Sequence, residues 1–383
     1  MTLQKPIIII GTGLSGYTLA REIRKRAPEQ ALHIVTADDG HSYSKPMLSN
    51  ALNKDKSPDA LVIASAEKMA EDLNATIWTH VRVTAIHPDS RSIDTERGSL
   101  EYDRLVLALG ADTIQLPIEG DAADAILSVN DLVDYRNFRN RIENPGAVAI
   151  IGAGLIGCEF ANDLRNADIE VHVIDISERP LGRLLPEKAA SALQKNLEQI
   201  GVHWHLANSV VRVDHDGGQF RVALKSGDTL TVGTLLSAIG LRPRIQLAGD
   251  AGLQTNRGIL VDRHLRTSDP YIYALGDCAE VEDLVLPFVM PLMAAARALA
   301  AILTGEEIML SYAAMPVVVK TPACPVVVCP PPRPVDGHWI ETESETGVRA
   351  EYRDASGNLL GFALTGDAII EKMALAKQIS AWL

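Results

Sequence analysis

Two glycine-rich turns with the spacing G-x-G-x-x-G carry the clearest chemistry in this sequence. The first occupies residues 11–16 and the second residues 152–157, and each follows an apolar run and precedes a stretch that can form a helix. In such a turn the first glycine allows a tight bend, the second lets a pyrophosphate approach the backbone, and the third lets the helix pack closely. The repeat predicts two dinucleotide-binding sites, formed by Gly11, Thr12, Gly13, Leu14 and Gly16 and by Gly152, Gly154, Leu155, Ile156 and Gly157.

An acidic residue follows each turn near the end of the next strand. Asp38 or Asp39 takes this place after the first turn, and Asp175 takes it after the second. A carboxylate here accepts hydrogen bonds from an adenosine ribose and repels the 2′-phosphate of NADPH. Arg179 and Arg183 lie a few residues further on and weaken this repulsion a little. We therefore expect NADH and not NADPH at the second site.

Two dinucleotide sites on one chain favour two dinucleotides that react with each other. FAD and NADH fit, because a nicotinamide can deliver a hydride to a flavin. The alternative is that both turns only hold packed helices. It would account for one turn more easily than for two that both follow a strand and precede an acid.

The elements that must position these turns form two β-α-β units. In the first unit, residues 7–10 are predicted as a buried strand, 14–27 as a helix and 31–36 as a second strand, and the second unit opens at residue 147. Apolar runs without alternation are typical of parallel strands covered on both faces. Further predicted elements are helices at 66–73, 186–200 and 291–303 and buried strands at 105–111 and 271–281.

The composition changes after Gly305. Between Pro316 and Pro334 there are seven prolines in 19 residues, which favours extended edge strands and turns over helix. The tail is predicted to form hairpins closed by a helix at 367–379. The predicted fold class is α/β, with two Rossmann-like dinucleotide-binding domains and a small α+β C-terminal interface domain. The predicted boundaries are 1–110 with 242–310 for the FAD-binding domain, 111–241 for the NAD-binding domain and 311–383 for the interface domain.

The bulk composition excludes several classes of protein. A chain of 383 residues is expected to hold two or three domains, and its net charge of −13 argues against nucleic acid as a partner. No apolar run reaches the roughly 20 residues that a membrane span needs, and Lys5 before a short isoleucine run does not make a signal peptide. We therefore expect a cytoplasmic protein without membrane insertion. The four cysteines contain no C-x-x-C pair, so no structural zinc or iron–sulfur cluster is expected.

Four motifs resemble, in the same order, those of the FAD-dependent pyridine nucleotide–disulfide oxidoreductase superfamily. They are GTGLSG, LVLALGA, GAGLIGCEFA and TSDPYIYALGDCA, and SAIGLRP resembles the segment by which that family's chain returns from its NAD domain. The similarity covers almost the whole chain. It implies that Gly110 and Gly240 lie at cofactor-binding turns and that Gly276 and Asp277 approach the ribitol and pyrophosphate of FAD.

Two segments resemble more narrowly the rubredoxin and ferredoxin reductases. They are YSKPMLSN at 43–50 and VMPLMAAARAL at 289–299. Asn50 stands where ferredoxin reductases of dioxygenase systems usually have a lysine, which favours the rubredoxin reductases and leaves Lys45 as the cation near the flavin. In that family the Glu of G-x-E-x-A, here Glu159, points towards the flavin. The resemblance implies that Glu159 pairs with Lys45 beside the flavin N5 and the nicotinamide, as the catalytic pair.

Glu159 has a second interpretation from spacing alone, as a favourable anion in the first turn of a helix. Three further residues are implied at the cofactor only by the resemblance. The backbone of Val83 would meet the adenine, the backbone of Val289 would face the pyrimidine edge of the flavin, and Lys320 would reach the flavin from the third domain.

The resemblance implies an NADH-dependent flavoprotein that passes single electrons to rubredoxin and so feeds an alkane hydroxylase. The iron of rubredoxin takes one electron at a time, so a flavin is the converter it requires. Rubredoxins are acidic, and a basic patch near the exposed flavin edge is therefore expected. Three alternatives stay open: an NADH:ferredoxin reductase of a ring-hydroxylating dioxygenase system, an NADH oxidase, and a non-catalytic redox-sensing flavoprotein. The oligomeric state also stays open.

Two other groups of residues have the spacing of a redox disulfide or of metal ligands. Cys324 and Cys329 have the C-x4-C spacing of the superfamily's redox disulfide, but that disulfide belongs near residues 41–50. A strand over CPVVVC would separate the two Cα atoms by roughly 16 Å, whereas a disulfide needs roughly 4.4–6.8 Å. His203 and His205 share one strand face without a visible third ligand, so we expect a solvated face and no metal site.

Overall fold

The computed structural model describes residues 5–143 and 146–383. Its helices are α1 Leu14–Arg26, α2 Ala66–Leu73, α3 Leu132–Ile142, α4 Leu155–Arg165, α5 Glu187–Gln199, α6 Gln246–Asp250, α7 Val289–Leu303 and α8 Lys372–Ala376. The segment of Lys45–Asn50 forms a 3-10 helix.

The strands fall into three stretches of the chain. The first stretch contains β1 Ile7–Ile10, β2 Leu32–Val35, β3 Ser42–Tyr43, β4 Val62–Ala64, β5 Thr76–Trp78, β6 Val83–His87, β7 Ser92–Thr95, β8 Gly98–Glu101, β9 Arg104–Leu107 and β10 Ala111–Thr113. The second contains β11 Leu127–Ser128, β12 Val148–Ile151, β13 Val171–Ile174, β14 Val202–His205, β15 Val210–Asp216, β16 Gln219–Leu224, β17 Thr229–Val232, β18 Thr234–Ser237 and β19 Leu241–Pro243. The third contains β20 Ile259–Val261, β21 Ile272–Ala274, β22 Ala279–Val281, β23 Val317–Val319, β24 Val326–Cys329, β25 His338–Ser344, β26 Gly347–Arg353 and β27 Leu359–Thr365.

A parallel sheet in the order β21-β9-β1-β2-β5 organises the first unit. Its central strand β1 is buried at every position, which explains why four consecutive isoleucines form it. Helix α1 leaves the end of β1 and packs beside α7. The direction of the strand order changes at β1, and ligands of such sheets bind at the carboxyl ends of the strands at that point.

The second unit repeats this plan with the parallel order β11-β18-β12-β13-β14. Strand β12 is again buried throughout, and α4 leaves its end as α1 leaves β1. The prediction of two Rossmann-like units is therefore confirmed. The antiparallel pair of β10 and β19 carries the chain out of the first unit and back into it. The domain boundaries given above stay a prediction.

The C-terminal part forms an antiparallel sheet in the order β23-β24-β27-β26-β25. Helix α5 of the second unit packs on β26 and β27. One buried cluster contains Phe160 of the second unit, Val326 and Ala350 of the C-terminal sheet, and Leu48 of the first unit. The three parts thus share one hydrophobic core. Polar residues at the boundaries between the parts are therefore candidates for a functional site.

Three predicted elements differ in detail from the observed ones. The strand expected at 271–281 divides into β21 and β22, because Gly276 with a φ of +75° turns the chain between them. Helix α7 begins two residues earlier than expected, at Val289, with Pro291 in its first turn, where proline is tolerated. The expected helix at 367–379 is instead a 3-10 helix over Gly366–Glu371 followed by the short α8.

Within residues 5–143 and 146–383, no helix combines the length and apolar character needed to cross a membrane. The same residues contain no group of three or more His, Cys, Asp or Glu side chains placed to hold a metal ion.

Candidate active site

The first glycine-rich turn joins β1 to α1 and is packed tightly except at its middle glycine. Gly11 has a φ of +113°, and a Cβ atom there would lie 2.3 Å from the carbonyl oxygen of Ala108. A Cβ atom on Gly16 would lie 1.9 Å from the carbonyl oxygen of Gly11, whereas one on Gly13 would meet nothing within 4 Å. The open space at Gly13 leaves room for a group that approaches the backbone.

The second turn, between β12 and α4, has the same construction. Gly152 has a φ of +110°, and its Cβ atom would lie 2.7 Å from the carbonyl oxygen of Ala238. A Cβ atom on Gly157 would lie 1.9 Å from the carbonyl oxygen of Gly152, and again nothing stands within 4 Å of the middle position, Gly154. Each glycine therefore has the role that the spacing predicts.

Helices α1 and α4 both begin without a side-chain cap. Their N-cap residues are Gly13 and Gly154, and neither helix has an acidic residue in its first turn. The first N–H groups of a helix have no partner within the helix, and an anion there also interacts favourably with the helix dipole. The free donors and the open middle glycines fit a dinucleotide pyrophosphate at each turn, which agrees with FAD at the first and NADH at the second.

Asp38 is the acid that reaches the first turn. Its Oδ1 accepts hydrogen bonds from the Thr12 hydroxyl at 3.0 Å, the Thr36 hydroxyl at 2.6 Å and the Gly40 N–H at 2.9 Å. Asp39 instead accepts from the backbone N–H of His41 at 3.0 Å. Of the two carboxylates left open by the sequence, only Asp38 is bonded to the turn.

Asp175 is bonded to the second turn. Its Oδ2 accepts from the Ala153 N–H at 2.5 Å and its Oδ1 from the Ser177 N–H at 2.7 Å. The carboxylate is therefore fixed beside the glycines at the end of β13, where an adenosine ribose would be expected. Its role at NADH stays a prediction.

The charges of Lys45 and Asp277 influence each other's pKa. Burial lowers the pKa of Lys45, and the carboxylate of Asp277 opposes that shift. Burial raises the pKa of Asp277, and Lys45 opposes it in turn. Gly276 places Asp277 beside the start of α1, since a Cβ atom on Gly276 would lie 2.1 Å from the Ser15 hydroxyl oxygen. Asp277 thus stands next to the free N-terminus of α1.

Glu159 lies where the three parts of the chain meet. It is buried, and its Oε2 accepts from the Ser49 hydroxyl of the first unit and from the Lys320 ammonium of the C-terminal part. Its Oε1 accepts from the backbone N–H of Lys320 at 3.0 Å. The Lys320 ammonium also donates to the Ser49 hydroxyl at 3.2 Å. We call Ser49, Glu159 and Lys320 the three-part cluster.

The predicted pair of Glu159 with Lys45 is wrong. The Lys45 ammonium instead donates to the Asn130 side-chain oxygen at 2.7 Å. Lys45 begins the 3-10 helix that contains Ser49, and with about three residues per turn the two side chains point in different directions. The interpretation of Glu159 as a first-turn anion is also wrong, because Glu159 is the fifth residue of α4.

Two neighbours of Glu159 on α4 also bind other parts of the chain. The Asn162 side-chain oxygen accepts from the Ala323 N–H at 3.0 Å. The Asp163 carboxylate accepts from the N–H groups of Leu52 at 3.0 Å and Asn53 at 2.8 Å, and burial raises its pKa while these two donors lower it. Asn162 and Asp163 were not predicted as site residues, although polar residues at i, i+3 and i+4 of a mostly apolar helix were a visible signal.

The remaining predicted residues occupy the ends of elements. Leu14 and Leu155 are the first residues of α1 and α4, Val289 is the first residue of α7, and Val83 begins β6. Ile156 and Val289 are exposed. Gly110 and Gly240 have φ values of +70° and +115° and lie between β9 and β10 and between β18 and β19. Their roles at a cofactor stay predictions.

All four cysteines are free and buried. Burial raises the pKa of Cys324 to about 11 and that of Cys329 to about 12. It raises the pKa of Cys278 to about 11 and that of Cys158 still further. Thiols with raised pKa values are poor nucleophiles at neutral pH, which agrees with the prediction that the C-x4-C spacing is no redox disulfide.

His203 and His205 on β14 lie beside a third histidine, His172 on β13. The His172 Nδ1 and His205 Nε2 atoms are 3.1 Å apart, and the His172 and His203 rings stack with centroids 5.0 Å apart. Burial lowers the pKa of His172 and of His205. The expectation of a fully solvated face therefore overlooked His172, whose packing partly buries two of the rings.

Two open glycine-rich turns on two Rossmann-like units, with a buried charged cluster between them, are typical of two-dinucleotide oxidoreductases. The model of the family "Pyridine nucleotide-disulphide oxidoreductase" matches residues 5–313, so the chain belongs to this family. The prediction of FAD and NADH as cofactors is confirmed with it. The model "Rubredoxin binding C-terminal domain" matches residues 309–379.

Full-length relatives narrow the class further. The chain is 51% identical to rubredoxin-NAD(+) reductase of Alcanivorax borkumensis, over 98% of this chain and 99% of the relative. It is 49% identical to rubredoxin-NAD(+) reductase of Acinetobacter baylyi, over 94% of each chain. The predicted relationship to the rubredoxin-NAD(+) reductases is confirmed. Among solved structures, the ferredoxin reductase for the CYP199A2 system from Rhodopseudomonas palustris has a TM-score of 0.89 at 26% identity, over 98% of this chain and 96% of that one.

Proposed function

We propose that this chain is an NADH-dependent flavoprotein that reduces rubredoxin. The observation that carries the proposal is the three-part cluster. It joins the helix that begins at the second glycine turn to the first unit and to the part that matches rubredoxin-binding domains. The site therefore brings the proposed NADH, FAD and carrier-binding parts to one place.

In the proposed reaction the chain holds two dinucleotides against each other. The N-terminus of α1, Asp38 and the pair of Lys45 and Asp277 would hold FAD, and the N-terminus of α4 with Asp175 would hold NADH. Bound FAD supplies the chemistry, since a flavin accepts an electron pair as hydride and can release single electrons to an iron centre. Ser49 and Glu159 are buried, so little water reaches the carboxylate of the cluster.

Lys320 and Glu159 have complementary roles in the proposal. The Lys320 ammonium would stabilise negative charge that develops on the reduced cofactor. The Glu159 carboxylate accepts hydrogen bonds from both the ammonium and the backbone N–H of Lys320. It therefore fixes the position of the ammonium and of the backbone at Lys320. Ser49 connects the same atoms to the 3-10 helix of the first unit.

The acceptor is tested by assaying reduction of cytochrome c by NADH with either rubredoxin or a dioxygenase-type ferredoxin as the intermediate carrier. We expect rubredoxin to support the faster reaction. Since rubredoxins are acidic, this rate should fall as salt is added. A larger excess of activity with ferredoxin would overturn the choice of rubredoxin and leave an NADH:ferredoxin reductase.

The ferredoxin reductase is the second candidate, because the Rhodopseudomonas palustris enzyme has the same fold over nearly the whole chain. Two further alternatives have their own outcomes in the same assay. Consumption of NADH in air without a carrier would support an NADH oxidase. Binding of FAD and NADH with negligible turnover on every carrier would support a redox sensor.

The cellular setting belongs to the proposal as well. We place the protein in the cytoplasm, because four free and buried cysteines agree with a reducing compartment. The electrons would feed an alkane hydroxylase by way of rubredoxin. Loss of growth on alkanes, but not on fatty acids, after deletion of the gene would support this destination.

A further inference from the structure

Asn130 contacts Lys45 and has no role in the reaction proposed above. It follows β11 and precedes α3, so it belongs to the second unit, whereas Lys45 belongs to the first. The Lys45 ammonium donates to the Asn130 Oδ1 at 2.7 Å. The contact therefore reaches from one dinucleotide-binding unit to the other.

The amide of Asn130 is held in one orientation. Its Nδ2 donates to the Ala111 carbonyl oxygen at 2.8 Å, and its backbone N–H donates to the Asp134 carboxylate at 2.9 Å. A flip of the amide would point its NH2 group at the Lys45 ammonium and lose both side-chain bonds. The structure thus presents a fixed neutral acceptor to Lys45.

A neutral acceptor satisfies the ammonium without cancelling its charge. The other charged groups that act on Lys45 are Asp277, Arg244, Asp131 and Asp134, and none of them forms an ion pair with it within 4 Å among the described residues. A carboxylate at position 130 would instead form such a pair. The Lys45 cation can therefore act on an anion that binds beside it.

We infer that Asn130 is a positioning residue that holds the Lys45 ammonium, without neutralising it, as a cation for the bound FAD. The inference rests on the proposed function, because it takes the first unit to be the FAD site. According to this inference, the second unit contributes to FAD affinity through the Asn130 side-chain amide. The amide has this effect because it is neutral and leaves the charge of Lys45 in place.

The first test replaces the amide by a carboxylate of the same shape. In Asn130→Asp the new charge would pair with Lys45, and we expect the Kd for FAD to rise about tenfold, the equivalent of about 1.4 kcal/mol. The Kd is measured from the fluorescence of FAD released when the full-length holoprotein is diluted. Asn137→Asp is the matched control, because it adds the same charge to an exposed position of α3, and its Kd should equal that of the parent.

Salt dependence separates an electrostatic role from a structural one. The FAD Kd of the parent should rise with added KCl more steeply than that of Asn130→Asp, because the variant has less net charge to screen. Equal salt dependence of the two proteins would overturn the inference, as would an unchanged Kd for Asn130→Asp.

The second test asks whether Asn130 acts through Lys45. We expect Asn130→Ala to raise the FAD Kd about threefold to fivefold and to have almost no effect in a Lys45→Gln background, since the effects of residues in direct contact are not additive. Additive effects of the two substitutions would overturn the inference. If the parent protein binds no FAD, the proposed function itself is overturned. If the parent binds FAD and substitution of Asn130 has no effect on the Kd, only the role of Asn130 is overturned.

Discussion

At the scale of single residues, the site depends on charges that are removed from water and paired. The Glu159 side chain is 4% exposed and that of Lys320 is 25% exposed. Removing one partner from such a pair leaves the other charge uncompensated, which costs more than the pair contributes to stability. The pair therefore acts as a unit, and a substitution at either residue should be visible in the reaction.

Glu159→Gln tests this unit directly. The amide keeps the size of the side chain but no longer offers a charge to the Lys320 ammonium, so we expect flavin reduction by NADH to slow by about 100-fold, as for loss of one preorganised electrostatic contact. Stopped-flow absorbance of the flavin gives the rate. Glu198→Gln, at an exposed position of α5, is the control, and a Glu159→Gln rate equal to the parent's would contradict the assigned role.

Asp175 should set the choice between NADH and NADPH. Asp175→Asn keeps an acceptor for the turn but removes the charge that repels a 2′-phosphate, so the ratio of kcat/KM for NADPH to that for NADH should rise by about tenfold. Steady-state kinetics with both nucleotides measure the ratio. Asp168→Asn, exposed beyond the far end of α4, should leave it unchanged, and the same ratio in Asp175→Asn would show that another residue decides.

The buried thiols should be chemically silent. The pKa of Cys324 is about 11 and that of Cys329 about 12, so at pH 8 both stay protonated in the folded state. We expect iodoacetamide to label none of the four cysteines at pH 8 until the protein is denatured, as read by mass spectrometry. The double variant Cys324→Ser and Cys329→Ser should retain carrier reduction, and its loss would point to a redox dithiol after all.

At the scale of elements, two helices of the second unit form hydrogen bonds with groups from other parts of the chain. Helix α4 offers Glu159, Asn162 and Asp163 from one side to both other parts. Helix α5 lacks a side-chain cap of its own at Pro186, and the Glu341 Oε1 accepts from its first N–H groups, those of Lys188 at 2.9 Å and Ala189 at 3.2 Å. Strand β25 thus caps a helix of another part.

Glu341→Ala should therefore act on stability and not on the reaction. Loss of a capping acceptor costs about 1 kcal/mol, so the denaturant midpoint should fall while the rate of flavin reduction stays that of the parent. Glu343→Ala removes a neighbouring carboxylate that forms only a long exposed ion pair with Lys188, at 3.8 Å, and should change the midpoint little. Equal effects of the two substitutions would contradict the capping role of Glu341.

At the scale of the whole molecule, the features that could be predicted are those with local causes. The glycine spacing encodes the two turns because Gly16 and Gly157 pack on Gly11 and Gly152 within the same β-α unit, and the unbroken runs of β1 and β12 encode buried parallel strands. The C-terminal α-helix was predicted too long, since Gly366–Glu371 form a 3-10 helix and only Lys372–Ala376 an α-helix.

The contacts that assemble the site could not be predicted in this way. Glu159 and Lys320 are 161 residues apart, Lys45 and Asn130 are 85 apart, and Glu341 and Lys188 are 153 apart. Each contact joins polar residues of common types from two parts of the chain. The sequence around one partner does not indicate which distant residue is the other. The resemblance placed Glu159 and Lys320 at the flavin separately, but it assigned Glu159 the wrong lysine.

The most direct measurement is anaerobic stopped-flow mixing of the purified protein with NADH, followed by mixing with oxidised rubredoxin. We expect a yellow protein whose flavin absorbance is bleached by NADH and returns as the rubredoxin iron loses its visible absorbance. A colourless protein that takes up no FAD, or a bound flavin that NADH leaves oxidised, would contradict this expectation.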